Sequence, residues 1–242
     1  MLQTNIINVH LAYASHWDTL DIGCLDEAEC KRAATFRFAE SRVLYQAAHA
    51  FLRQVLSNYA PLPPQAWRFN TNTYGKPYIA NPNYQYLQFN LSHTQGLIAC
   101  VVTNHLSVGI DVELSRTLED LHPMAEYSFS AAEAQEVLAI CDPHQQQQRF
   151  FTYWTLKEAC LKAWGTGFSV SPQHFTVGQD QQGKWLLIDN KTEHFLEQDL
   201  DLASYSFGDY YLGLAWLNKK HNDHTNDQYP VRIFDAYCQR IE

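Results

Sequence analysis

The sequence predicts an α+β fold made of two similar-sized halves that meet near residue 105. Two observations carry this: the order is strand, helix, several strands, then helices and strands again, and each half holds one long helix, although no strict internal repeat is visible. Ile6–Tyr13 reads as an opening strand. Leu44, Ala48, Phe51, Val55 and Tyr59 recur at helical spacing, with Pro61 closing the helix and Pro61-Leu62-Pro63-Pro64 forming a stiff connector. Strand pieces follow at Trp67 and Phe69, at Leu87-Phe89-Leu91 and at Leu97–Val102, with a turn at Tyr74-Gly75-Lys76-Pro77.

The segment Ser107–Leu114 alternates, placing Val108, Ile110, Val112 and Leu114 on one face and Asp111 with Glu113 on the other. Ser130-Ala131-Ala132-Glu133 resembles a capping box that opens a helix over 130–140. Residues 149–164 are the strongest helix candidate, which Gln145–Gln148 would extend. The closing third is β-rich. Phe175-Thr176-Val177 and Trp185–Ile188 flank 179–183 as a hairpin, and Tyr211–Leu217 is a further strand. The polar stretch 218–230 is expected to be mobile. The boundaries expected are 1–104, 105–217 and a C-terminal extension over 218–242.

Of the 242 residues 46% are hydrophobic and 18% charged, which excludes a disordered chain. With 17 Lys and Arg against 26 Asp and Glu, the formal charge is −9, so general nucleic-acid binding is not expected. No apolar run suits a membrane span, and no secretory signal is read. The six cysteines are scattered without a C-x-x-C pair, so neither a disulfide framework nor a zinc site is expected, and the cytoplasm is the expected compartment.

Four features carry chemistry. Asp111 and Glu113, two residues apart on a strand, place like charges side by side, which a cation would stabilise; the ordinary alternative is a solvated face. On the helix, Phe150, Trp154, Leu161 and Trp164 share a stripe widened by Tyr153, Leu156 and Cys160. Glu158 and Lys162 lie one turn apart on its flank, a spacing that also suits a plain surface ion pair. Asn90, Ser92 and His93 end an apolar strand with groups suited to a phosphate. A Ser/His hydrolase is disfavoured, because no G-x-S-x-G elbow exists. Finally Lys31, Arg32, Arg37, Arg42 and Arg53 stand against Glu40 alone, with Lys76 on a Gly-Pro turn; they suit anion binding or helix solubility equally. Together these make a site for a magnesium-bound pyrophosphate.

Gly109-Ile110-Asp111-Val112-Glu113, followed by Trp154-Thr155-Leu156-Lys157-Glu158-Ala159-Cys160-Leu161-Lys162, resembles the paired signature of the 4′-phosphopantetheinyl transferases. Phe89-Asn90-Leu91-Ser92-His93 and Gly75-Lys76-Pro77 match two further motifs, in the order of the long, monomeric, surfactin-type class. The resemblance implies a pseudo-twofold pair of α/β subdomains with coenzyme A between them. It implies Mg²⁺ on Asp111, Glu113 and Glu158. It implies coenzyme A contacts from Thr71, Tyr74, Gly75, Lys76, Pro77, Asn90, Ser92, His93, Lys162 and Arg32, with Arg37 or Arg42 as alternatives to Arg32. A serine hydroxyl of an acyl, peptidyl or aryl carrier protein would attack the β-phosphate. Glu158 would act as general base, directly or through water, Lys162 would neutralise the leaving phosphate, and 3′,5′-ADP would depart. Because such carriers are acidic, a local docking patch, apolar with a few cations, is expected. The rival readings are a Mg²⁺-dependent nucleotide pyrophosphate hydrolase and a non-catalytic module that binds carriers or nucleotides.

Overall fold

The computed structural model describes residues 6–190, 199–218 and 229–235. It has the expected α+β character and divides into two compact units. The first takes in the chain up to Thr71, Pro77–His105 and the returning C-terminal segment. Its elements are β1 (Ile7–Tyr13), α1 (Glu27–Ala34), α2 (Ala39–Ser57), β2 (Phe69–Thr71), β3 (Pro77–Ile79), β4 (Leu87–Thr94) and β5 (Leu97–Asn104). Gly96, at φ +85°, closes the tight β4–β5 hairpin where a side chain would be strained. β1 pairs antiparallel with β5 and is buried almost throughout, with Ile7, Val9 and Leu11 on one face and Ala12 beside the buried polar side chains of Asn8 and His10 on the other. The core forms where Ala48, Phe51, Leu52 and Val55 of α2 meet Phe89, Ile98, Cys100 and Val102 of the sheet. Tyr59 lies past the end of α2, although it joins the helical pattern in sequence.

The second unit holds β6 (Val108–Leu114), α3 (Leu121–Ser128), α4 (Ala131–Ala139), α5 (Pro143–Trp164), β7 (Phe175–Gln179), β8 (Trp185–Asn190), β9 (Asp199–Phe207) and β10 (Tyr210–Asn218). The turn Asn72–Lys76 packs with it. Its sheet runs β6-β10-β9-β8-β7. α5 starts six residues earlier than the apolar stripe suggests. Asp142 caps it, Pro143 sits in its first turn, and Gly165 ends it in the left-handed conformation at φ +70°. α5 packs on β6 and β10 through two glycine windows. A Cβ on Gly109 would strike the carbonyl of Ala159, and one on Gly213 would strike the backbone of Thr155. The aromatic stripe of α5 faces the other way, stacking Phe150 and Tyr153 against Phe129.

The solvated face held as the alternative for Asp111 and Glu113 is not found: Asp111 is buried and Glu113 half-buried, with α5 lying over the Gly109 side of β6. Three expectations change. Arg53 is not a free cation. It is fully buried and paired with Asp26 and Glu29, so it leaves the basic cluster. The C-terminal extension is not wholly separate, since β11 (Val231–Phe234) returns to pair in parallel with β1. The unit boundary falls between His105 and Leu106, with 72–76 going to the second unit. The polar stretch over 219–228 lies outside the described residues, as does 236–242. No helix among the described residues is long and apolar enough to cross a membrane.

Candidate active site

Gly109 begins the site. With no side chain there, the backbone of α5 closes on β6, and the residues two and four further along the same strand face lie beside the helix. Asp111 is thereby buried, and Lys162 Nζ lies 2.7 Å from its Oδ1. Glu158 stands one helical turn before Lys162. Burial and the nearby charge of Asp111 push the Glu158 carboxyl above the usual range, Glu113 adds to the effect, and Lys162 opposes it. Glu113 is raised for the same two leading reasons, while Arg116 and a hydrogen bond donated by Trp154 hold it back. Three carboxylates therefore share one electrostatic neighbourhood, with one ammonium among them.

They are not gathered into a ready ligand set. Among the described residues, no three His, Cys, Asp or Glu side chains are grouped so as to hold a metal ion. Lys162 instead donates to Asp111 in their midst. The donor chemistry nonetheless fits Mg²⁺, which prefers hard carboxylate oxygens and would relieve the repulsion that raises Glu113 and Glu158. Glu158 also borders a cavity of about 280 Å³ walled by Tyr127, Phe129, Trp154, Leu161 and Val170.

The turn 72–76 is organised by a residue that the sequence reading overlooked. Asn72 Oδ1 accepts hydrogen bonds from the backbone N–H groups of Tyr74 and Lys76, and its Nδ2 donates to the Gly165 carbonyl at the end of α5. Gly75 takes φ +88° and Tyr74 is exposed. Lys76 is expected from the sequence as a cation on a Gly-Pro turn. Its ammonium instead donates to Ser107 Oγ and to the carbonyls of Val108 and Ala163. Burial lowers its pKa to about 8.

In the first unit, Thr71, Pro77, Asn90 and His93 come together on the wall of a cavity of about 540 Å³. Ser92, buried one residue before His93 on β4, is not among its lining residues. The same wall carries Glu29 and His49, neither of which was singled out in the sequence. His49 Nδ1 lies 2.9 Å from Glu29 Oε1. Burial would raise the Glu29 carboxyl, but hydrogen bonds from His49 and Arg53 outweigh it and hold its pKa at about 2. Arg32 is exposed, its guanidinium 5.5 Å from the Phe36 ring centroid and near enough for its charge to act on Tyr45 of this wall, and Arg37 and Arg42 are exposed as well. The missed Asn72 left a faint signal, sitting two residues before a Tyr-Gly pair.

Two family descriptions match the chain, "4′-phosphopantetheinyl transferase superfamily" over residues 107–215 and "4′-phosphopantetheinyl transferase, N-terminal" over 13–105. The 4′-phosphopantetheinyl transferase HetI of Nostoc sp. is 38% identical over 146 residues, which is 60% of this chain and 61% of that protein. The 4′-phosphopantetheinyl transferase psf-1 of Bacillus pumilus is 34% identical over 161 residues, 64% of each chain. The match thus spans about three fifths of these relatives' length. A holo-(acyl-carrier-protein) synthase from Bacillus anthracis, solved with coenzyme A (3′,5′-ADP), aligns with TM-score 0.41 and 22% identity over 46% of this chain and 96% of its own.

Proposed function

The chain belongs to the 4′-phosphopantetheinyl transferase superfamily, and from that premise we propose that it transfers the 4′-phosphopantetheine moiety of coenzyme A to a serine hydroxyl of an acyl, peptidyl or aryl carrier protein. The observation that supports the reading is the shared electrostatic neighbourhood of Glu158 and Lys162 of α5 with Asp111 and Glu113 of β6. Asp111, Glu113 and Glu158 would hold Mg²⁺, which when bound neutralises pyrophosphate charge. The carrier's serine oxygen forms a bond to the β-phosphorus, and the bond from that phosphorus to the bridging oxygen breaks. 3′,5′-ADP is the leaving group.

Glu158 takes the serine proton, directly or through water. Lys162 faces the negative charge that grows on the departing phosphate. Thr71, Tyr74, Gly75, Lys76, Pro77, Asn90, Ser92 and His93, with Arg32 or its neighbours Arg37 and Arg42, bind the rest of coenzyme A. The nucleophile belongs to the partner, so this chain needs no catalytic serine. Free thiols at Cys30 and Cys141, both exposed, support a reducing, cytoplasmic setting.

The test is the intact mass of candidate carriers after incubation with the protein, Mg²⁺ and coenzyme A. Wild-type protein should add one phosphopantetheine, and Asp111→Ala should slow transfer by at least about 10³-fold while the circular dichroism spectrum stays unchanged. Full transfer in the presence of a chelator, or 3′,5′-ADP released without any carrier, would rule the reading out.

A further inference from the structure

One side chain ties the turn 72–76 to the end of α5. Asn72 Oδ1 accepts the Tyr74 and Lys76 N–H groups, both at 2.9 Å, and its Nδ2 donates to the Gly165 carbonyl at 2.8 Å. The backbone closes the same turn, with the Asn72 N–H donating to the Lys76 carbonyl and the Gly75 N–H to that of Asn72. An amide suits this place because it needs an acceptor and a donor on one short side chain. The last carbonyls of a helix lack partners of their own. Here the carbonyl of Gly165 is met by Asn72, and that of Ala163 by Ser107 Oγ and Lys76 Nζ. Two glycines leave room for this meeting. A Cβ on Gly165 would come within 2.9 Å of Lys76 Cδ and 3.2 Å of Asn72 Nδ2, and one on Gly167 within 3.3 Å of the Tyr74 carbonyl. Lys162, which pairs with Asp111, lies in the last turn of the helix so held.

We propose that Asn72 is a positioning residue that serves the reaction twice: its oxygen shapes the turn that receives coenzyme A, and its nitrogen fixes the end of α5 that aims Lys162. The proposal rests on the transferase reading above and adds to it a residue that acts through others. The two ends of the amide separate the two effects. The oxygen presents Tyr74, Gly75 and Lys76 in one conformation before the ligand arrives, so it acts on coenzyme A binding. The nitrogen acts on the placement of the ammonium that meets the leaving phosphate, where a small displacement lowers rate more than affinity. Lys76 ties the same helix end to β6 through the Val108 and Ala163 carbonyls, so losing Asn72 shifts the last turn of α5 without unravelling it.

The test measures steady-state transfer by the full chain, with coenzyme A varied at saturating carrier, for Asn72→Asp and Asn72→Ala. Asn72→Asp keeps the acceptor and removes the donor, so kcat should fall about tenfold while the KM for coenzyme A stays within about twofold of wild type. Asn72→Ala removes both, so kcat should fall as far and the KM for coenzyme A should also rise about tenfold. Amide hydrogen exchange reads the tether without turnover. It should quicken at Gly165 in both variants, and at Tyr74 and Lys76 in Asn72→Ala alone. Wild-type kinetics in Asn72→Ala, or the same rise in KM in both variants, overturns the proposal and leaves the transferase reading standing. So does a fall in kcat that matches folded protein lost by circular dichroism, with KM unmoved in both variants, which marks a purely structural role. Absence of wild-type transfer to any carrier removes the transferase reading itself, and this role with it.

Discussion

Glu29 in the first unit and Glu133 in the second occupy the same place in the same device. Each closes a capping box at the start of a short helix, and each binds a buried cation 24 residues further on, Arg53 on α2 and Lys157 on α5. Each cation lies over the ring that opens the next strand, Arg53 at 5.1 Å from Phe69 and Lys157 at 4.3 Å from Phe175. In each unit the first strand pairs antiparallel with a strand that follows the long helix, β1 with β5 and β6 with β10. The copies differ in what surrounds the device. Glu133 and Lys157 are sealed, whereas Glu29 also meets His49 on a cavity wall. One and five residues beyond the buried cation, α5 carries Glu158 and Lys162, while the first unit has Gln54 on α2 and Asn58 just past its end. The shared framework holds a helix on a sheet in both units; the cluster of Asp111, Glu113, Glu158 and Lys162 belongs to one copy.

The comparison breaks first at those offsets. Glu158→Gln should lower turnover by about 10²–10⁴-fold, and Gln54→Ala should leave it unchanged, both read from carrier mass against time. A loss of similar size in both would mean that the two helices share the chemistry. The sealed pair gives the next largest effect. Lys157→Met leaves the Glu133 carboxylate buried with only the backbone N–H groups of Ser130 and Val177, and should cost about 3–5 kcal/mol in urea unfolding. Adding Glu133→Gln should recover part of it; a wild-type midpoint for the single variant would show that the pair does not anchor the unit.

The smallest effect lies in the first unit, where burial lowers the His10 pKa to about 4. The unfolded chain binds that proton near 6.5, so the stability from neutral His10 is complete above pH 6.5 and is lost as pH falls through 4. The loss is about 3 kcal/mol. His10→Gln should flatten the unfolding free energy across that window, and an unchanged slope would assign acid sensitivity elsewhere.

Much of the fold was legible because its signals are local. The β4–β5 hairpin, the capping box at Ser130 and the apolar face of α2 follow from turn chemistry and periodicity over a few residues. α5 was legible on one face only. Its second face, Thr155, Ala159 and Ala163, is made of small residues that carry meaning only beside Gly109 and Gly213, and a hydrophobic count passes over them. The site residues Asp111, Glu113, Glu158 and Lys162 stood out by spacing, yet the Lys162–Asp111 pairing needed coordinates. Arg53 and Lys76 show the opposite limit. A charge total treats every cation alike, and only the fold reveals that one is spent on Glu29 and Asp26 and the other on backbone carbonyls. β11, four residues long beyond a polar stretch, offers no periodicity to read.

That late strand also orders the birth of the molecule. β11 sets Val231 beside Ile7 and Phe234 beside His10, whose rings stack at 5.1 Å. On the ribosome, β1 is made early and must wait for this neighbour until every residue of the second unit has been translated. The later-made half can therefore finish its packing while the earlier one still offers an open strand edge. A nascent chain that stalls before residue 231 would present Asn8–His10 as a template for pairing with another copy, so misassembly during synthesis should begin at the amino-terminal sheet.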